Sequence, residues 1–345
     1  MSNRLHVLVV DDSAVVRQTI LAILGTQADI RTSIASDPLI AMQRMQRDRP
    51  DVIILDLEMP RMDGITFLRK LMRETPTPVI VCSSHIGEGG AQAVRALQAG
   101  AVELIAKPSL GVQGFLNDSA LMLIDAVRAA ASVRIAVRSV PVDAILPPPL
   151  RTAARPPRTA RVVAIGASTG GTEAIRQILD ALPASSCGVV VVQHMPEMFT
   201  RSFANHLNTT SALEVKEAEA GDEVLPGRAL IAPGNRHLIV VARGTRLFVE
   251  TSDGPLVSRH RPSVDVLFRS VATAARAEAV GVILTGMGND GAAGLLDMHN
   301  AGAVTLAQDE STSVVFGMPG AAIAKGAVRF IHPLPSIATA ILTHA

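Results

Sequence analysis

Apolar and polar positions follow two similar textures along the chain, separated by a stretch rich in proline. From residue 5 to about 130, short apolar runs stand out: LHVLVV (5–10), VIILDL (52–57), PVIVCS (78–83) and VELIAK (102–107). Between them, segments such as SAVVRQTILAIL and AQAVRALQAG repeat their apolar residues three and four apart. Runs of that length read as buried strands, the wider spacing reads as amphipathic helix, and their alternation predicts a five-stranded parallel sheet wrapped by helices. The active edge of such a sheet lies at the carboxyl ends of its strands.

The pattern breaks between Pro141 and Pro157, where six prolines, three of them consecutive, interleave with Arg151 and Arg155. Proline fixes φ and removes an amide donor, so this stretch is expected to be a semi-rigid linker and neither helix nor central strand. Strand-like runs resume in RVVAIGAS, GVVVVQH and VGVILTG. Residues 213–261 differ, with short β runs punctuated by Gly, Pro and Asn, and predict β-hairpins inserted into a second doubly wound, mostly parallel α/β unit. The expected organisation is an α/β domain over 1–130, a linker over 131–159 and a second α/β domain over 160–345.

Composition narrows the function without naming it. The 345 residues are 48% hydrophobic and 18% charged with a net charge of +1, so no global attraction to nucleic acid or to a membrane surface is implied. No apolar run approaches the roughly 18 residues of a membrane span, and LHVLVV is too short for a signal peptide, which leads to the expectation of a cytoplasmic protein. Cys82 and Cys187 lie in apolar runs without ligand spacing and read as small buried hydrophobes. The absence of Trp and Tyr argues against aromatic platforms for bases.

Candidate chemistry in the first unit sits at strand ends. Asp11 and Asp12 follow the first strand and Asp56 the third, and carboxylates crowded at one edge repel unless a divalent cation joins them; oxygen-only ligation suits Mg²⁺. Lys107 and Ser83, at the ends of two further strands, add an ammonium and a hydroxyl. Together these groups suit the acceptance of a phosphoryl group, because they neutralise its charge. Singly, each is as easily a helix cap or a solvated side chain.

In the second unit, Gly166-Ala167-Ser168-Thr169-Gly170-Gly171 joins a strand to a helix. A P-loop would need Lys where Thr172 stands, and a dinucleotide fold would want an acidic residue near the end of the next strand, where Gln193 and His194 stand. The alternative is G-x-S-x-G, a turn that lifts a serine hydroxyl clear of the sheet. A hydroxyl needs a base, supplied by His194, and the base needs an orienting carboxylate, supplied by Asp290 in the glycine-rich VILTGMGNDGAAG. Taken separately, Ser168 reads as an N-cap, His194 as a satisfied strand-end imidazole and Asp290 as the cap of the helix at GAAGLLDM. Three complementary groups at three strand ends of one sheet favour the joint reading.

VLVVDDSAVVR, DVIILDLEMPRMDG and ELIAKPS resemble the response-regulator receiver family. That resemblance implies that Asp56 is the phosphoacceptor, that Asp11 and Asp12 hold Mg²⁺ with it, and that Ser83 and Lys107 contact the phosphoryl group. Many receivers carry an aromatic switch residue three before the lysine; here the position is Leu104, so an aromatic rotamer switch is not expected. AIGASTGGTEAI, VVQHMPEMFTRSFANHLN, APGNRH, RHRPSVDVLF, ILTGMGNDGAAG and FGMPGAA resemble the chemotaxis protein-glutamate methylesterase (CheB) family, whose members also begin with a receiver. The resemblance implies Ser168, His194 and Asp290 as nucleophile, base and orienting acid, with no cofactor at the esterase site, and with methyl-accepting chemoreceptors as substrate and a chemotaxis histidine kinase as phosphodonor. It further implies hydrolysis of glutamate γ-methyl esters and deamidation of receptor glutamines. Backbone N–H groups of Thr169 and Met287 are the candidate oxyanion donors. The motifs around His237 and His260 fit the family, with turn packing and surface hydrogen bonding equally open for them. The linker is short enough for the receiver to pack over the serine edge, and phosphorylation is expected to loosen that packing. A phosphorylation-controlled transcription factor would need a compact basic helix-turn-helix, which 160–345 does not offer; a non-catalytic adaptor would not need all three catalytic residues.

Overall fold

The computed structural model describes residues 4–59, 62–83, 88–107, 113–133 and 161–345, so the proline-rich stretch lies outside the described residues. The first domain comprises β1 (Leu5–Val10), α1 (Ala14–Gly25), β2 (Ile30–Ala35), α2 (Pro38–Arg47), β3 (Val52–Leu55), α3 (Gly64–Glu74), β4 (Val79–Ser83), α4 (Glu88–Gln98), β5 (Glu103–Ala106) and α5 (Gln113–Ala131). Its five strands pair in parallel in the order β2-β1-β3-β4-β5. Helices cover both faces, which is why the central strands read as unbroken apolar runs: all of β3 and all of β4 are buried. Helix starts follow local capping chemistry. Asp37 accepts from the amides of Leu39 and Ile40 with Pro38 at the first helical turn, and Asp63 accepts from Thr66 N–H.

The second domain comprises β6 (Val162–Ala167), α6 (Gly171–Ala181), β7 (Gly188–Gln193), α7 (Glu197–Thr210), β8 (Glu214–Glu217), β9 (Arg228–Ile231), β10 (His237–Arg243), β11 (Arg246–Ser252), α8 (Val264–Ala274), β12 (Ala279–Ile283), α9 (Ala292–Asn300), β13 (Val304–Gln308), α10 (Met318–Ala324), β14 (Phe330–His332) and α11 (Leu334–His344). Seven strands form one sheet in the order β14-β13-β12-β6-β7-β9-β8, each neighbouring pair parallel. The hairpin texture of 213–261 resolves differently from the expectation. Only β10 and β11 make an antiparallel hairpin, while β8 and β9 extend the main sheet in parallel. Short strands bounded by turn residues do not carry their pairing partner in their own pattern, so an edge strand of a parallel sheet reads as a hairpin arm.

The chain builds outward from β6 in both directions, to β7 on one side and to β12 on the other. A crevice opens at such a reversal, outside the carboxyl ends of the strands. The core beneath it is filled by large side chains with no exposure, among them Phe199 and Phe268, each worth about 1.5–3 kcal/mol of burial.

Candidate active site

Ser168, His194 and Asp290 follow β6, β7 and β12, the three strands that meet at the reversal, and all three line one cavity of about 260 Å³. The turn after β6 is sharp because Gly170 adopts φ +77, a left-handed conformation, and a Cβ there would come within 2.5 Å of the Val314 side chain. Gly170, without a side chain, also occupies the N-cap of α6, so Ser168 is not the cap that its lone reading suggested. Ser168 is left to line the cavity.

His194 Nε2 meets Asp290 Oδ2 at 2.9 Å, and His194 Nδ1 is buried without a hydrogen-bond partner among the described residues. A satisfied strand-end imidazole would have both nitrogens bonded; this one keeps a spare buried nitrogen, not hydrogen-bonded to Ser168, in a ring that lines the same cavity as Ser168. Nor does Asp290 cap the helix at GAAGLLDM, whose N-cap is Gly291. It accepts instead from Ser263 Oγ at 2.7 Å and from the amides of Val264 and Asp265 at 2.7 and 3.1 Å, so it caps α8 from across the structure. Burial alone would push its carboxyl up; the His194 hydrogen bond, backed by Ser263 and Val264, holds it down at about 2. Asp290 is therefore an anion over the whole neutral range, aimed at one imidazole nitrogen.

The same cavity is lined by His260, whose ring stacks on that of His194 at 3.7 Å between centroids and 11° between planes. His260 closes a two-residue turn with Val257, and both central residues, Ser258 (φ +50) and Arg259 (φ +66), are left-handed without being glycine. Such residues cost about 1–2 kcal/mol each, so surrounding contacts must hold the turn. Part of the wall comes from the first domain: Glu103, Leu104 and Ile105 of β5, and Leu121, Met122 and Asp125 of α5. Asp125 pairs with Arg259 at 3.1 Å, and Glu103 has the Thr169 hydroxyl as its hydrogen-bonding neighbour. Thr169 and Met287, the candidate oxyanion donors, line the same cavity.

The second cluster lies at the carboxyl edge of the first sheet. Carboxylate oxygens of Asp11, Asp12 and Asp56 lie within 4.8 Å of one another, Asp11 and Asp56 buried and Asp12 exposed. Lys107 Nζ reaches Asp11 Oδ2 at 2.9 Å and Asp56 Oδ2 at 2.7 Å. Burial would lower the Lys107 ammonium, but the bonds to Asp56 and Asp11 hold it above its usual value; burial pushes the Asp56 carboxyl up against the pull of Lys107. Ser83 ends β4 at the same edge, its carbonyl accepting from Lys107 N–H at 3.0 Å. Three converging oxygen donors with one flanking ammonium fit Mg²⁺ and an incoming phosphoryl group.

A CheB methylesterase family model matches residues 163–341, and a response regulator receiver domain model matches residues 7–113. The first covers more than half of the chain. This chain belongs to the CheB methylesterase family. Among its relatives, a "Protein-glutamate methylesterase/protein-glutamine glutaminase 5" of Anaeromyxobacter dehalogenans is 55% identical over 98% of this chain and 96% of its own. A protein of the same designation, numbered 2, from Rhodospirillum rubrum is 53% identical over 99% of both chains. The crystal structure of the Thermotoga maritima CheB methylesterase catalytic domain superposes with a TM-score of 0.53, covering 54% of this chain and 99% of that one at 38% identity.

Seen as a CheB protein, the chain has a receiver whose position 104 is filled by a buried leucine packed in a core cluster that continues into α6 and α7 of the methylesterase domain. Sequence reasoning did not find Ser263, Arg259, Asp125 or Glu103. Each acts through a partner far away in the chain, and only Ser263 carried a signal, standing beside Pro262 at the start of a helical pattern. Both cysteines are free thiols, Cys82 buried and Cys187 half-buried, the latter pushed up to about 11 by burial.

Proposed function

We propose that this CheB-family protein is a phosphorylation-regulated protein-glutamate methylesterase/protein-glutamine glutaminase that hydrolyses glutamate γ-methyl esters, and deamidates glutamines, on methyl-accepting chemoreceptors. The enzyme class follows from family membership, and the observation that carries the mechanism is that Ser168 and His194 line one cavity, with His194 Nε2 tied to Asp290 and its Nδ1 left without a partner. Ser168 Oγ attacks the ester carbonyl while His194 takes its proton, and Asp290 stabilises the imidazolium that forms. Backbone N–H groups of Thr169 and Met287 receive the oxyanion. His194 then returns the proton to the departing methoxide, methanol leaves, and water cleaves the acyl-enzyme by the reverse route to give free glutamate. A glutamine side chain follows the same path with ammonia as the leaving group.

In the receiver, Asp56 accepts the phosphoryl group from a chemotaxis histidine kinase. Asp11, Asp12 and Asp56 would hold Mg²⁺, which supplies charge neutralisation for the transferred group. Lys107 and Ser83 stand ready at the same edge to contact it. The regulatory reading is autoinhibition: β5 and α5 of the receiver wall the cavity over Ser168, leaving room for small groups but none for a receptor helix 10–12 Å across. Phosphorylation at Asp56 weakens that packing.

Methanol release from methylated receptor, followed for wild type, Ser168→Ala and Asp56→Ala, tests both halves. Ser168→Ala is expected to lose activity by about a thousandfold or more, and Asp56→Ala to keep basal activity without responding to a phosphodonor. Retained turnover in Ser168→Ala would remove the nucleophile from the account. A fragment starting near residue 158 that is no more active than the unphosphorylated full chain would remove autoinhibition.

A further inference from the structure

We infer that His260 is a positioning residue for the reaction: its ring, stacked on His194, fixes the plane of the catalytic imidazole so that Nε2 stays on Asp290 and Nδ1 is kept free to take the serine proton. The inference rests on Ser168 and His194 acting as nucleophile and base.

One hydrogen bond does not orient a ring. With Nε2 on Asp290 and Nδ1 unpartnered, the His194 imidazole is free to swing about its single tether unless a face is covered. His260 covers that face at van der Waals separation, nearly parallel, with centroids 3.7 Å apart. The turn that delivers it is built for placement. Val257 and His260 exchange backbone hydrogen bonds at 2.9 and 3.1 Å across two left-handed residues. On its far side, the Arg261 guanidinium donates to Asn235 Oδ1 and to the carbonyls of Asp253 and Gly254. On its near side, Arg259 reaches Asp125 of the receiver.

The chemistry of the stacked group also matters. Burial first, then the neighbouring His194, holds His260 down at about 3, so it is a neutral ring at any working pH. When His194 takes the serine proton it becomes a cation over a neutral π face, an attractive arrangement. A cationic neighbour at that place would repel it, and an aliphatic one would offer no π face. Asp290, Arg259, Asp125 and Glu103 are the other charged groups on the same cavity, and of these Asp290 alone is bonded to the base.

Steady-state methanol release by the full-length protein, with a phosphodonor present, separates this role from the alternatives. His260→Ala is expected to lower kcat on the order of tenfold to a hundredfold, the cost of a poorly placed catalytic group, with KM within about threefold of wild type. His260→Phe, which keeps a flat π face of similar size, is expected to recover most of the loss. If His260→Ala stays within about twofold of wild type, or if Phe is no better than Ala, stacking does not position the base and the inference fails. A loss confined to KM would make His260 a substrate contact and overturn it as well. Wild-type release abolished in Ser168→Ala is the control that keeps the underlying mechanism standing whichever way His260 falls.

Discussion

Asp290 shows how much one side chain is asked to do. It is the carboxylate that orients His194 and also the remote N-cap of α8, since Ser263, at the formal cap position, makes no side-chain bond to its own helix and donates to Asp290 instead. Ser263 is in turn fixed from behind: its amide donates to His237 Nδ1, which assigns the His237 Nε2 proton to the Pro255 carbonyl at 2.9 Å. An anion at a helix start gains from both the free amides and the macrodipole. Removing one donor leaves a buried carboxylate under-satisfied, and a hydrogen bond to a charged group is worth about 1.5–3 kcal/mol. Ser263→Ala is therefore expected to lower unfolding stability by about that amount in chemical denaturation, and Ser263→Thr to cost less. An unchanged midpoint in Ser263→Ala would show that the amides of Val264 and Asp265 satisfy Asp290 by themselves.

Elements explain which parts of this were readable from the chain. The motif residues were legible because parallel strands end at one edge: Asp11, Asp56, Ser83 and Lys107 in the receiver, and Ser168, His194 and Asp290 after β6, β7 and β12, occupy strand ends that any doubly wound reading brings together. What stayed hidden depends on pairings the local pattern does not encode. The parallel placement of β8 and β9 is one; the reach of Asp290 to α8 and of Asp125 to Arg259 are others. The contact between α4 and α7 belongs to the same class. A Cβ on Gly90 of α4 would lie 2.6 Å from Ser202 Oγ and 3.2 Å from the Met198 carbonyl of α7, so the two helices approach as closely as they do because that side chain is missing. Gln98 of α4 adds a hydrogen bond to His206 of α7 at 2.8 Å. Gly90→Leu is expected to prise this contact apart and raise the unphosphorylated rate of methanol release toward the phosphorylated one, while the receiver itself, whose core lies on the other side of α4, still accepts phosphate. If basal activity in that variant is unchanged, the α4–α7 contact does not hold the receiver over the active site.

At the scale of the whole molecule, docking and protonation are coupled through Glu103. In the docked arrangement burial pushes its carboxyl up from 4.5 to about 7, with the Thr169 hydroxyl as the main opposing contact. Once the receiver moves away the same carboxyl faces water and returns to its ordinary value. The docked form therefore binds a proton that the released form does not hold between about pH 5 and 7, and by linkage the docking equilibrium weakens as pH rises through that window, by at most tenfold per unit, then levels off once the docked carboxyl is itself ionised. Glu103 is partly exposed, and solvent screening brings the real slope below that limit. Catalysis has its own pH dependence, so the informative quantity is the unphosphorylated rate of wild type divided by that of Glu103→Gln, in which the common part cancels. That ratio is expected to climb from about pH 5.5 to 7 and then flatten, and to lose its slope when a phosphodonor has already released the receiver. A ratio that stays level across the window would mean that Glu103 keeps one protonation state in both arrangements, and that the receiver is held over Ser168 by the α4–α7 contact and the Asp125–Arg259 ion pair without any proton being taken up.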